Sequence, residues 1–175
     1  MTANLSGYAM GHRANFVILQ SGVARAFFDP WAALGSTHEF ALGPEHATRA
    51  AEAAEPTEEL LDWAFAEAGY LIDHDQKVAM VFGVPESGID VADLEGLEGV
   101  DMGDLAAAGA TDAALAEGPE RFLELISPVW RGWSLWWDDR GVDAFAEHLQ
   151  VRSITTITTQ PSSSPPESRV FRRRA

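Results

Sequence analysis

A chain of 175 residues, 46% of them hydrophobic, is long enough for one domain with its own core, which at this size buries roughly 68–70% of its unfolded surface. The absence of cysteine excludes disulfides, thiolate zinc sites, iron–sulfur clusters and cysteine nucleophiles. A formal net charge of −15 at pH 7 sets the chain against direct contact with nucleic-acid phosphate or anionic lipid.

The opening Met1-Thr2-Ala3-Asn4-Leu5 lacks the basic residue and apolar stretch of a signal peptide, and no apolar run reaches the ~18 residues of a membrane helix. A cytoplasmic protein with no membrane partner is therefore expected, with residues 1–9 as a mobile leader ahead of Met10. Arg13 to Gln20 is rich in β-formers, and Ser21-Gly22 is a turn signal before Val23 to Phe28, which predicts a hairpin closing at Asp29-Pro30. Trp31-Ala32-Ala33-Leu34 leads through Gly35-Ser36 to a short extended piece at His38 to Leu42. Gly43-Pro44-Glu45 places proline and an acid at a helix start, and the alanine-rich run continues to Ala54, stopping before Pro56. Thr57 reads as the N-cap of a second helix, with Glu58 and Glu59 at the positive end of its dipole. Its apolar face is Leu60, Leu61, Ala64, Phe65 and Ala68, before Gly69 ends it.

Tyr70-Leu71-Ile72 and Val78 to Phe82 flank Asp73-His74-Asp75-Gln76-Lys77 as a second hairpin, and the two hairpins are expected to share one antiparallel sheet. Residues 83–118, rich in glycine and acids, read as a surface excursion with short helices near Val91 to Leu94 and Thr111 to Ala116. Glu120 to Ile126 predicts a helix closed by Pro128, Trp133 to Trp137 a strand, and Val142 to Gln150 a helix with Asp143 in its first turn. The fold class is α+β: an antiparallel sheet of two hairpins plus a later strand, packed by about four helices. The globular domain is set at residues 1–150. Residues 151–175, rich in Ser, Thr, Pro and Arg, read as a flexible tail in which Ile154 to Thr159 could add an edge strand.

Motifs for catalysis are sparse. The only lysine, Lys77, follows Asp75-Gln76, so no phosphate-binding loop exists. Gly132-Trp133-Ser134-Leu135-Trp136 misses the nucleophile elbow at its last position and falls on an expected strand, and His38-Glu39 is not followed by the second histidine of a zinc protease. Asp73-His74-Asp75 is the densest cluster of acid–base and hard-metal groups. At a hairpin tip such aspartates bond their own backbone, and a calcium loop fails because Lys77 and Val78 stand where its ligands are needed. No cofactor or metal site is assigned. His12, Arg13, Asp73, His74 and Asp75 form the alternative set for a small-ligand site or an acid–base or metal enzyme, whereas His38, His46 and His148 read as solvated or internally bonded.

The least ordinary feature is aromatic. Trp130, Trp133, Trp136 and Trp137 fall close together, next to Arg131 and Asp138-Asp139-Arg140. On a strand, Trp133, Leu135 and Trp137 face one side and Ser134, Trp136 and Asp138 the other. Trp130 and Trp136, with Asp138, Asp139 and Arg140, are accordingly the expected partner-binding residues, because rigid amphipathic rings make good anchors. Residues 1–150 hold 7 of the 12 basic and 26 of the 27 acidic side chains, a balance of −19, whereas the remainder holds 5 and 1, a balance of +4. Such a body attracts a basic protein partner, with the acidic stretch around Asp90 to Asp104 adding to the pull.

The blocks Gly11-His12-Arg13-Ala14-Asn15-Phe16-Val17-Ile18, Trp31-Ala32-Ala33-Leu34, Gly43-Pro44-Glu45 and Trp130-Arg131-Gly132-Trp133 together resemble a group of small bacterial proteins described only as hypothetical. The resemblance spans roughly residues 10–150 and implies no activity. The leading expectation is a non-catalytic interaction protein of the immunity, antitoxin or inhibitor kind that binds a basic protein. The alternative is the small-ligand or acid–base site named above, and the third is a nucleic-acid mimic whose carboxylates are spaced like phosphates.

Overall fold

The computed structural model describes residues 13–60, 66–83 and 102–159. Strands β1 (Ala14–Gln20) and β2 (Val23–Asp29) form the first hairpin. Ser21 and Gly22 both hold positive φ, 54° and 73°, the two-residue turn whose twist matches that of the strands it joins. Helices α1 (Ala33–Ala41) and α2 (Pro44–Glu52) follow, then the short β3 (Glu55–Thr57) and a second hairpin of β4 (Ala68–Asp73) and β5 (Val78–Phe82). Helices α3 (Met102–Glu117) and α4 (Pro119–Ile126), strand β6 (Ser134–Trp137) and helix α5 (Val142–Val151) complete the order.

The strands make one six-stranded sheet in the order β3-β2-β1-β4-β5-β6. It is mixed, which corrects the expected antiparallel sheet: β1 pairs parallel with β4, Ala14 opposite Ala68 through Leu19 opposite Asp73, and β6 lies parallel to β5. The hairpins are therefore joined through their first strands. The reason is connectivity: α1 and α2 carry the chain back between β2 and β4, and α3 and α4 between β5 and β6, the long crossovers that parallel neighbours require. Residues 14–19 and 68–73 are accordingly buried without alternation, as central strands covered on both faces must be. Gly69 is fixed by this pairing, because a Cβ there would lie 2.0 Å from the Asn15 carbonyl oxygen.

Side chains alternate between two cores. Phe16, Ile18, Tyr70, Ile72 and Val81 pack beneath the helices α1 to α4, with Phe40, Phe122 and Trp130 filling that side. Val17, Leu19, Leu71, Met80 and Phe82 face α5, meeting Val142, Phe145 and Leu149. The result is a three-layer sandwich with the sheet in the middle.

Several local expectations change. His38 to Leu42 is not extended; it lies in or just beyond α1, whose buried residues Ala33, Ser36, Thr37 and Phe40 recur at helical spacing. Thr57 caps no helix but ends β3, its hydroxyl accepting from the Glu59 N–H within a local turn. Residues 61–65 of the expected second helix lie outside the described residues, while Ala68 and Gly69 belong to β4. The short helix expected at Thr111 to Ala116 is part of a single 16-residue α3, and Val91 to Leu94 lies outside the described residues. Among the described residues there are five helices. The packed body continues past residue 150: Ile154 and Ile157 rest on the α5-side core, Ile157 bridges to Ala24, and the Thr158 N–H donates to the Ala24 carbonyl at 2.9 Å. Residues 1–12 and 160–175, the expected leader and most of the expected tail, are outside the described residues. No described helix is long and apolar enough to cross a membrane.

Candidate functional site

The acid–base cluster of the sequence divides between the two faces of the sheet. Asp73 ends β4 and is wholly buried on the α5 side. Its Oδ1 accepts the N–H groups of Asp75 and Gln76, both at 3.1 Å. Its Oδ2 lies 2.9 Å from His148 Nε2 and accepts from Arg152 Nε at 2.8 Å. Arg152 also reaches Asp75 Oδ2 at 3.1 Å, and Asp75 accepts the Ser21 and Gly22 N–H groups at 2.8 Å each. A buried carboxylate persists only when its lone pairs are met, and here they tie together the two hairpin turns and the end of α5. The Gly22 N–H first, then that of Ser21 and the Arg152 charge, hold Asp75 below the usual carboxylate pKa.

His74 points to the other face. Its Nε2 lies 2.8 Å from Thr48 Oγ1 on α2, and its ring meets Trp133 edge-on at 5.4 Å. Burial lowers its pKa against the opposing pull of Asp73 and Asp75. Arg13 precedes β1 at the opposite end from Asp73: it stands one residue before the Ala14–Ala68 pair, and Asp73 lies level with Leu19, a separation of roughly 20 Å at ~3.3 Å per residue. His12 is outside the described residues. The alternative set of His12, Arg13, Asp73, His74 and Asp75 is thus not gathered around one cavity. Among the described residues no three His or carboxylate side chains converge as a cation site.

The aromatic run lies at the sheet margin. Trp130 is 1% exposed, stacked on Phe40 at 4.5 Å, with Nε1 donating to the Phe40 carbonyl at 2.9 Å. This removes it from the expected partner surface; its indole closes the core where α4 turns toward β6. Trp133, Leu135 and Trp137 lean half-buried against the same core, whereas Trp136 projects from the opposite face and is 37% exposed. Beyond it, Arg140 grips Asp138 through Nε at 3.0 Å and Nη2 at 2.8 Å and also pairs with Glu147. The Arg140 guanidinium holds the Asp138 carboxyl below its ordinary pKa. Asp139 accepts from Trp137 Nε1 at 2.7 Å. Four of the five expected contact residues, Trp136, Asp138, Asp139 and Arg140, therefore stand together at the end of β6.

Known proteins offer no guide to this surface. The chain matches no family model, no curated protein and no solved structure.

Two features escape a reading of the sequence. The first is the open margin of β6, beyond which no described strand lies. The Ser134 N–H donates to the Lys77 carbonyl at 2.9 Å and that of Asp138 to Val81 at 3.1 Å, so by alternation Leu135 and Trp137 direct their N–H and C=O groups outward. Alongside runs a trough between β6 and α4, about 600 Å³ over Glu120, Leu123, Glu124 and Leu135, continuing past Leu123 to Glu117, Trp137 and Asp139. The second is a groove of about 650 Å³ between α1, α3 and α4, where Leu42, Leu125 and Val129 stand exposed. His38 pairs with Asp112 at 2.8 Å and His46 pairs with Glu39 on its rim. The signal for both was the set of aliphatic residues at helix ends and on a short strand that no core accounts for.

Proposed function

We propose that this protein is a non-catalytic cytoplasmic interaction protein, of the immunity, antitoxin or inhibitor kind, that captures a basic protein at the β6 end of its sheet. The observation that carries the reading is an indole left open on an edge strand, Trp136, beside Asp138, Asp139 and Arg140, while Asp73, His74 and Asp75 are taken up by internal bonds on opposite faces. Rigid rings at a protein surface anchor partners with little loss of side-chain freedom. The net charge of −15 raises the encounter rate with a cationic protein, and Trp136 slows its release.

The test is capture from the source cytoplasm at low and high salt with wild type, Trp136→Ala and Asp139→Lys. A basic protein retained at low salt should bind Trp136→Ala roughly 30-fold more weakly, the effect of an anchor worth about 2 kcal/mol. Asp139→Lys should slow association with less effect on dissociation. Retention of an acidic protein, or equal affinity in all three forms, refutes the reading.

A further inference from the structure

We infer that β6 accepts an extended, lysine- or arginine-bearing segment of the partner as a seventh strand, laid in the trough beside α4; this rests on the basic-partner reading above and specifies how the partner is held.

The outward N–H and C=O groups of Leu135 and Trp137 supply main-chain bonds to an added strand, the recognition mode in which backbone gives affinity and alternate side chains give selectivity. One face of such a strand falls into the trough, where the stems of basic residues can lie on Leu123 and Leu135 and their charged ends reach Glu120 and Glu124 on the lip. The other falls on the side of Trp136, whose indole suits aliphatic residues. Alternating aliphatic and basic residues are therefore the fitting chemistry.

Charge selects this occupant over a second copy of the chain. On the lip of the trough Arg121 bridges Glu117 and Glu124 at 3.4 and 3.2 Å, and Arg131 lies at one end. Glu120 and Asp139 have no cationic partner among the described residues, which leaves the lip anionic. A second copy of this chain would bring another −15 to the same margin and is repelled.

The test uses the full-length protein and three labelled octapeptides: alternating lysine–valine, and the same peptide N-methylated on its valines or on its lysines. All carry the same charge. One edge of the peptide pairs with β6, so one methylated form should bind at least about 10-fold more weakly and the other should match the parent, since each lost bond to a desolvated partner costs about a factor of ten. The double variant Glu120→Lys, Glu124→Lys, both on the exposed face of α4, should lose a similar factor without a change in circular dichroism. Hydrogen exchange adds an arm independent of any variant: the Leu135 and Trp137 amides should exchange fast in the free protein and slow on addition of the parent peptide.

If all three peptides bind alike, charge alone holds them and the strand-addition inference is overturned, while the basic-partner reading stands. If no peptide binds although wild type still captures a basic protein in a Trp136-dependent way, the inference is again overturned alone. Amides already protected in the free protein would mean that this chain's own residues cover the margin, and protection that grows with protein concentration would mean a second copy does; either overturns it. Failure of both peptide binding and basic-protein capture removes the underlying reading as well.

Discussion

Replacing Asp73 by alanine strips a wholly buried carboxylate from four polar partners at once: the Asp75 and Gln76 N–H groups, His148 and Arg152. Two of those partners carry or can carry charge, and hydrogen bonds to charged groups contribute about 1.5–3 kcal/mol each. Breaking a buried pair by removing one member costs about 3–5 kcal/mol, because the other is left desolvated. Arg152 keeps Asp75, at 3.1 Å, which moderates the loss, so a destabilisation of about 3–4 kcal/mol is expected. For a domain of this size that lowers Tm by roughly 6–16 °C. Asp73→Asn retains an acceptor for the turn N–H groups while losing the charge, so the alanine and asparagine variants should differ by about 1–2 kcal/mol, the value of the turn bonds. Urea denaturation of both variants followed by tryptophan fluorescence measures these differences. A loss under about 1 kcal/mol for Asp73→Ala would show that the network is not a structural tie and would return Asp73 to the list of functional groups.

The tryptophans should separate sharply: Trp130→Ala costs about 3–5 kcal/mol as a filled core position, while Trp136→Ala stays within about 1 kcal/mol in stability and shows its effect in partner capture. Equal losses would contradict their placement. Gly69→Ala forces a Cβ to within 2.0 Å of the Asn15 carbonyl oxygen and should cost upwards of about 3 kcal/mol by prising β1 from β4; a urea midpoint unchanged from wild type would refute that pairing. Acid should act in two stages. His74 is held below its ordinary pKa by burial, so its contribution is complete above the unfolded value of about 6.5 and is lost as pH falls through the lower folded value. Asp75 and Asp138 are lowered by backbone N–H groups and by Arg140, so theirs is complete above about 3.9 and lost as pH falls further, through their folded values. Urea midpoints from pH 8 to pH 3 should be flat, then decline in that order; removal of the first stage in His74→Gln identifies its source.

The sequence carries the hairpins, α2, α4, α5 and β6 openly, because turn residues, prolines at helix starts and strand alternation are local signals. The alternation of Trp133, Leu135 and Trp137 against Trp136 is realised for the same reason. The first helix is hidden because its described buried positions include Ser36 and Thr37, whose polarity masks a helical repeat that burial makes plain. The parallel joining of β1 and β4 depends on where two crossovers return the chain, which no window of residues encodes. At the polar sites, the turn bonds of Asp73 follow from its position at a hairpin end. Its other partners do not, since His148 and Arg152 lie 75 and 79 residues away and meet it only when α5 closes over the sheet. The burial of Trp130 is hidden because it belongs to the turn between α4 and β6, where neither helical spacing nor strand alternation signals which way a side chain faces.

The two sides of the sheet are finished differently. On one, β3 is three residues long with Pro56 at its centre, and Ile157 lies against Ala24; proline and a covering segment leave little for another backbone to pair with. On the other, no described strand lies beyond Leu135 and Trp137. A molecule finished this way meets strand pairing from one described side, so the inferred addition has a single place to begin.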